Sequence, residues 1–227
     1  SHELRSPLAA LGGQLEMLQR SVQEDPAEVV RLTTFMRREV TRMSRLVEDL
    51  LTLARLDAQG AQALRRQKVH LHAVAQDVYE QVRALPAAQG KEIRLENGTP
   101  AALEGDPVRL HQVLLNLMVN AVEHTPTGGT VSMAIERQDG EARVRVQDTG
   151  PGIPPEHLPF IFDRFYRADA SRVRNRGGAG LGLAISQAIV TAHGGTIAAA
   201  NAPDHGAIFS VSLPCRTVPS PSAPPDA

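Results

Sequence analysis

Residues 106–124 read Asp-Pro-Val-Arg-Leu-His-Gln-Val-Leu-Leu-Asn-Leu-Met-Val-Asn-Ala-Val-Glu-His, and the fold is decided around this stretch. Asp106-Pro107 opens a helix. A carboxylate accepts from backbone N–H groups that have no partner in the first turn, and a proline at the first helical position gives up an N–H that would be unpaired anyway. Leu110, Val113, Leu114, Leu117, Met118 and Val122 then recur at helical spacing. Two alternating runs follow, Thr130 to Arg137 and Glu141 to Gln147, split by Asp139-Gly140, the dipeptide of a tight β-hairpin. On the N-terminal side, Val69 to Leu71 reads as a short strand. Val74, Val78, Val82 and Leu85 mark a helix, and Ile93 and Leu95 a strand ending at Asn97-Gly98. On the C-terminal side a helix runs roughly Gly182 to His193, and Thr196 to Leu213 holds a last pair of strands around Asp204-His205-Gly206. Clustered strands with interspersed helices predict an α+β class, here a sandwich with helices on one face of a mixed sheet.

The first 58 residues behave differently. Leu4, Leu8, Leu11, Leu15, Leu18 and Val22 form a heptad seam, broken at Gln23-Glu24-Asp25-Pro26. Asp25 and Pro26 then read as N-cap and first residue of a second helix carrying Val29, Leu32, Met36, Val40, Met43, Leu46, Val47, Leu50, Leu51 and Leu53. Two helices cannot enclose a core, so this hairpin is expected to pair with a second copy as a dimeric four-helix bundle. The alternative is packing against the rest of its own chain. The expected division is a helical hairpin over 1–58, a polar linker over 59–66, an α/β sandwich over 67–216 and a disordered Pro-rich tail over 217–227.

Composition narrows the function. Of 227 residues, 42% are hydrophobic and 22% charged, and 24 Lys and Arg against 25 Asp and Glu leave a net charge of −1. With no run of five or more basic residues, nucleic acid is not an expected partner. No stretch approaches the roughly 18 apolar residues of a membrane span, and the N-terminus lacks the basic and apolar regions of a signal peptide, so this piece is expected to be soluble. Cys215 stands alone, which excludes an intrachain disulfide and a Cys-based zinc site.

Four clusters could carry chemistry. The first is Ser1-His2-Glu3-Leu4-Arg5-Ser6-Pro7-Leu8. At about 100° per residue the leucine seam lies roughly 160 to 240° from His2, so His2 faces away from the seam with Ser6 on its own side. On position alone it is a surface histidine, although a carboxylate at Glu3 could hold Nδ1–H and leave Nε2 nucleophilic. The second cluster is Asn116, Asn120, Glu123 and His124, on one face of the helix opened by Asp106. Asn is an indifferent helix former, and an amide oxygen suits Mg²⁺ held mostly by phosphate oxygens. Capping of backbone inside the fold would also account for two asparagines. Third is Asp148-Thr149-Gly150-Pro151-Gly152-Ile153-Pro154 at a strand end, where an acid and glycines let a flat ligand approach backbone; as a bare pattern it is also a tight turn. Fourth is Gly177-Gly178-Ala179-Gly180-Leu181-Gly182-Leu183 at a helix start, suited to phosphates. No strand precedes it and no Gly-x-x-x-x-Gly-Lys-Ser/Thr is present, which argues against a dinucleotide fold and a standard P-loop. Phe162 to Arg167, leading into an Arg-rich loop through Arg176, reads as a lid able to bring cations to phosphates.

In this order and spacing the clusters resemble the sensor histidine kinases of bacterial two-component systems, over residues 1 to about 214. His2 to Leu8 is similar to the family's H-box, Asn116 to Pro126 to its N-box, Asp148 to Pro154 to its G1 box, Phe162 to Arg167 to its F-box and Gly178 to Gly182 to its G2 box. The resemblance implies a HisKA-type dimerisation and phosphotransfer hairpin followed by a GHKL (Bergerat) ATP-binding domain. It implies ATP and Mg²⁺ as cofactors, a homodimer, and a response-regulator receiver domain as partner. By that resemblance His2 is the phospho-acceptor and Glu3 its acid/base partner. Asp148 accepts from the adenine amino group, Asn120 holds Mg²⁺ and Asn116 supports the phosphates. Glu123, His124 and Leu181 border the nucleotide, Gly150, Gly152, Gly178, Gly180 and Gly182 shape the pocket and lid hinges, and Arg167 stabilises the transferred phosphoryl. Ser6 stands where relatives usually carry Thr or Asn to orient a water for dephosphorylating the regulator. Glu123 departs from the pattern, since many relatives place a basic residue there; pointing away and acting on Mg²⁺ or water are both open. The expectation is a cytoplasmic fragment of a membrane sensor, in contact with the membrane only through segments absent from this sequence. Two other readings stay open: a GHKL-type ATPase, and a nucleotide-binding scaffold without phosphotransfer.

Overall fold

The computed structural model describes residues 2–21, 26–96, 98–167 and 179–215. In chain order it contains α1 (His2–Ser21), α2 (Pro26–Gln59), a 3-10 turn (Gly60–Ala63), β1 (Gln67–His70), α3 (Leu71–Arg83), a second 3-10 turn (Pro86–Ala88) and β2 (Glu92–Leu95). β3 (Ala102–Gly105), α4 (Pro107–His124), β4 (Thr130–Gln138) and β5 (Glu141–Asp148) follow. The chain continues through a third 3-10 turn (Leu158–Phe160), α5 (Gly182–Ala192), β6 (Thr196–Asn201) and β7 (Ala207–Pro214). The expected N-cap Asp25 lies outside the described residues.

Five strands form a mixed sheet in the order β2-β4-β5-β7-β6, in which β2 and β4 are parallel and the other neighbours antiparallel. Alternation sets its two faces. Val131, Met133 and Ile135 of β4, Ala142, Val144 and Val146 of β5, and Phe209, Val211 and Leu213 of β7 are buried and join one core with the inner faces of α3, α4 and α5. Asp139 and Gly140 at the β4–β5 turn both have positive φ, 55° and 80°, as the primed hairpin turn requires. The α+β class and the one-sided helical layer agree with the expectation.

Three local readings need correction. The strand expected at Val69 to Leu71 is Gln67–His70; Leu71 instead starts α3 as a fully buried residue in register with Val74, Ala75 and Val78. Leu85 falls outside α3, which ends at Arg83, because the residue before a proline is pushed out of the helical region and Leu85 precedes Pro86 with ψ 140°. A strand at Ala102–Gly105 pairs antiparallel with β1 and was not anticipated, being only four residues long with a single fully inward leucine, Leu103.

The segment 59–66 is more structured than a polar linker. α2 runs through Gln59, a 3-10 turn follows, and the chain is then held by long-range polar contacts: Arg65 N–H donates to Asp106 Oδ2 (3.0 Å) and the Arg66 guanidinium donates to Ala192 O (3.0 Å). Asp106 is the expected α4 cap, its Oδ1 accepting from Val108 N and Arg109 N, both at 3.1 Å. Its own N–H donates to His193 Nε2 (3.0 Å), and His193 Nδ1 lies 2.8 Å from Ile189 O. An acceptor at Nε2 and a donor at Nδ1 make His193 a neutral imidazole. Burial, with Arg66 adding to it, pushes its pKa below the ordinary 6.5, against the Ile189 carbonyl and Asp106.

A pH dependence of stability follows from this depressed value. Below 6.5 the unfolded chain takes up a proton on this imidazole that the folded chain refuses. The stabilisation is therefore complete above 6.5 and lost as pH falls toward the lower folded value. Urea unfolding at pH 8 and at pH 6 should show a smaller acid loss in His193→Phe than in wild type. At pH 8 that variant should cost about 1–3 kcal/mol, because the Asp106 N–H is left buried without an acceptor.

α2 packs against α1 and, through its C-terminal half, against α5. Leu46, Leu53 and Leu56 enter the main core, and Arg109 Nη1 donates to Thr52 Oγ1 at 3.3 Å. Other apolar residues of the hairpin stay open: Leu8 is 56% exposed, Val30 65% and Val40 54%. Part of the hairpin thus packs on its own chain, as the alternative reading had it, and part presents an uncovered apolar stripe.

Candidate functional site

The site is built along α4, whose middle meets the start of α5 and whose C-terminal end meets the loop after β5. Asn116 and Asn120 lie half-buried one turn apart, and Glu123 and His124 are exposed in the last turn. Asn116 Nδ2 donates to Gly182 O (3.1 Å) and Ser186 Oγ (3.4 Å), and Ser186 Oγ donates back to Gly182 O (2.9 Å), so α4 is tied to the first turn of α5. Among the described residues that turn has no side-chain cap, leaving its N–H groups for another acceptor. Gly182 is not demanded by crowding, since a Cβ there would sit 3.6 Å from Asn116 Cγ in ordinary contact. The space it leaves lies beside Asn116 at this uncapped helix start.

Asp148 ends β5 at 3% exposure. Oδ1 accepts from Gly150 N–H (2.8 Å) and Ala207 N–H (3.2 Å), and Oδ2 takes no hydrogen bond among the described residues. One oxygen thus fixes the carboxylate while the other is left for a donor. A Cβ on Gly150 would meet His124 O at 2.7 Å, so the loop lies flush against the end of α4. Thr149 extends the sheet, its N–H donating to Thr130 O (3.1 Å) and its Oγ1 accepting from Thr130 N–H (2.9 Å).

Among the described residues no group of three His, Cys, Asp or Glu could hold a metal ion. A cation at Asn120 would therefore draw most of its ligands from phosphate oxygens and water, which is the usual manner of Mg²⁺.

Residues 105–217 match the family described as histidine kinase-, DNA gyrase B-, and HSP90-like ATPase, and residues 1–59 match the His Kinase A (phospho-acceptor) domain. The mycobacterial sensor histidine kinase MprB is 31% identical, with 66% of this chain and 97% of that structure aligned at a TM-score of 0.58. The chain belongs to the sensor histidine kinases. "Probable sensor histidine kinase TcrY" of Mycobacterium tuberculosis is 40% identical over 214 residues, 94% of this chain but 44% of that protein, so the chain spans less than half of this relative. The histidine kinase ThkA in complex with the response regulator protein TrrA aligns at a TM-score of 0.69 and 27% identity, covering 94% of this chain and 59% of that one.

In this kinase chain the structure brings Asn116 to Gly182 and, further along α4, Asp148 and Gly150 to the backbone of His124. Gly180 (φ +71°) accepts from Phe165 N–H at 2.9 Å, joining the F-box to the G2 box, and Phe165 itself has a left-handed φ of 64°. Beside it His157 Nδ1 lies 2.6 Å from Tyr166 Oη, and Arg164 Nη2 donates to both Asp57 oxygens (2.8 and 2.7 Å), fastening the F-box to α2. Arg167 is exposed just before residues 168–178. Gly177, Gly178 and the basic stretch through Arg176 lie outside the described residues. His2, Glu3 and Ser6 begin α1, and their side chains also lie outside them. Sequence reasoning missed Ala207 and Asn201, which hold the Asp148 loop; the β6–β7 connection around Asp204-His205-Gly206 signalled only a turn.

Proposed function

We propose that this chain is the catalytic core of a protein histidine kinase that uses ATP to phosphorylate His2 and passes the phosphoryl group to an aspartate of a response regulator. The reading is carried by Asp148: a buried carboxylate anchored through one oxygen, its other oxygen without a bond among the described residues, at the start of a loop that lies against the C-terminal end of α4. An adenine amino group is a donor of the right kind for that oxygen. Phosphates fit the N–H groups of the α5 start, with Asn116 and Gly182 beneath them and Leu181, Gly180 and Gly152 bordering the ligand. Asn120, with the face continued by Glu123 and His124, is the group offered to Mg²⁺, which when bound neutralises phosphate charge.

In the transfer the neutral His2 imidazole attacks the γ-phosphorus through Nε2. A P–N bond forms, the bond to the bridging oxygen breaks, and ADP leaves with that electron pair. Glu3 orients the ring through Nδ1–H and takes its proton, which keeps the product neutral at the ring. Positioning and charge neutralisation supply most of the acceleration in such transfers, and Arg167 is the cation assigned to the moving phosphoryl. Ser6 is the residue assigned to orienting a water for dephosphorylation of the regulator.

Two partners follow from this reading. A second copy covers the apolar stripe of Leu8, Leu15, Val30, Val40, Val47 and Leu51, none of which is less than 43% exposed. A receiver domain docks on the hairpin; the ThkA relative was solved in complex with the response regulator protein TrrA. Among the described residues no helix is long and apolar enough to cross a membrane. We place the chain in the cytoplasm, where ATP and receiver domains are found, as part of a membrane sensor.

Incubation with Mg²⁺ and γ-labelled ATP tests the activity. Acid-labile, alkali-stable label on the protein is expected, chased onto a cognate receiver domain. Steady phosphate release without any phosphoprotein would favour a simple ATPase instead.

A further inference from the structure

We propose that Asn201 is a positioning residue for base recognition, clamping the 148–154 loop so that Asp148 meets the purine 6-amino group. The inference rests on the assignment of Asp148 to that amino group. Asn201 is the last residue of β6, 48 positions from its partner, yet its amide engages Ile153 twice: Nδ2 donates to Ile153 O and Oδ1 accepts from Ile153 N–H, both at 2.7 Å. One side chain thereby acts as a strand would, pairing with both backbone groups of a single loop residue.

The residue before the clamped one is built for it. Gly152 has a φ of +76°, and a Cβ there would stand 2.9 Å from Asn201 Oδ1. The connection between β6 and β7 also holds the other end of the loop. Ala207 N–H donates to Asp148 Oδ1 at 3.2 Å, and a Cβ on the left-handed Gly206 would overlap the Asp148 carbonyl oxygen. One connection therefore grips the loop at Asp148 and at Ile153 and sets the span between them. Only a side chain with a donor and an acceptor side by side fits Ile153. Aspartate would turn a carboxylate oxygen toward Ile153 O, and alanine would leave both groups to water.

Asn201 is exposed, so its truncation leaves the core intact. The test compares wild type, Asn201→Ala, Asn201→Asp and Asp148→Asn for binding of ADP and of purine riboside diphosphate, which lacks the 6-amino group. Wild type is expected to prefer ADP by about tenfold or more. In both Asn201 variants that preference should shrink about fivefold. KM for ATP should rise by a similar factor while kcat at saturating ATP and the melting temperature stay close to wild type. Equal weakening of both ligands, or an unchanged preference in Asn201→Ala while Asp148→Asn loses it, would overturn the inference and leave the Asp148 assignment standing. If Asp148→Asn itself keeps the preference, the assignment fails and the inference goes with it.

Discussion

His2→Gln is expected to lose acid-labile labelling from γ-labelled ATP by at least about a thousandfold while binding ATP as tightly as wild type. Glutamine keeps the polarity and approximate bulk of the residue but has no basic ring nitrogen. Its amide lone pair is delocalised, so no P–N bond can form and the nucleophilic route is removed rather than slowed. Binding should be spared because the candidate nucleotide site is assembled from α4, the loop after β5 and the start of α5, all remote in sequence from α1. Ser6→Ala is the control. A hydroxyl assigned to the phosphatase direction can be removed without stopping the forward transfer, so labelling should persist. Gel autoradiography after acid and alkaline washes reads both variants, and label on His2→Gln equal to wild type would refute the assignment of the acceptor.

The second large effect is expected at Asp148→Asn, with ATP affinity falling about 30- to 1000-fold. The substitution is close to isosteric, and the amide oxygen can still accept from Gly150 N–H and Ala207 N–H, so the loop keeps its anchor. What changes is the other position, where an acceptor becomes an NH₂ donor facing the donor of the base. Losing that charge-assisted bond and opposing two donors in a buried place costs about 2–4 kcal/mol. Asp148→Ala should be worse for stability, because two N–H groups near a residue of 3% exposure lose their acceptor as well. Calorimetric titration with ATP, beside circular dichroism to show the fold retained, separates the two variants. Unchanged affinity in Asp148→Asn would mean that the base is read elsewhere.

Much of this architecture is written in local signals. Asp106-Pro107 caps α4 as read, Asp139-Gly140 turns the β4–β5 hairpin, and alternating apolar residues put Val131, Met133 and Ile135 on the inner face of the sheet. Helix caps, primed turns and periodic burial depend on residues within a few positions of one another, so they survive in the bare sequence. The order of the boxes also carried the family, and with it the candidate residues on α4, after β5 and before α5.

Tertiary structure decided what depends on residues far apart. Residues 59–66 looked like a linker because they lack apolar periodicity, yet Arg65 is held by Asp106 and Arg66 by the carbonyl of Ala192. The strand Ala102–Gly105 exists because β1 pairs with it, not through any propensity of its own four residues. Asn201 gave no sign of its hold on Ile153, and nothing near Phe162 to Arg167 announced that Arg164 would reach Asp57. Apart from the β1–β3 ladder, each of these is a polar side chain bonded to a group 41 to 126 positions away. Such a bond imposes no period on the sequence, and its partners meet only after the apolar faces have packed and brought distant backbone into place.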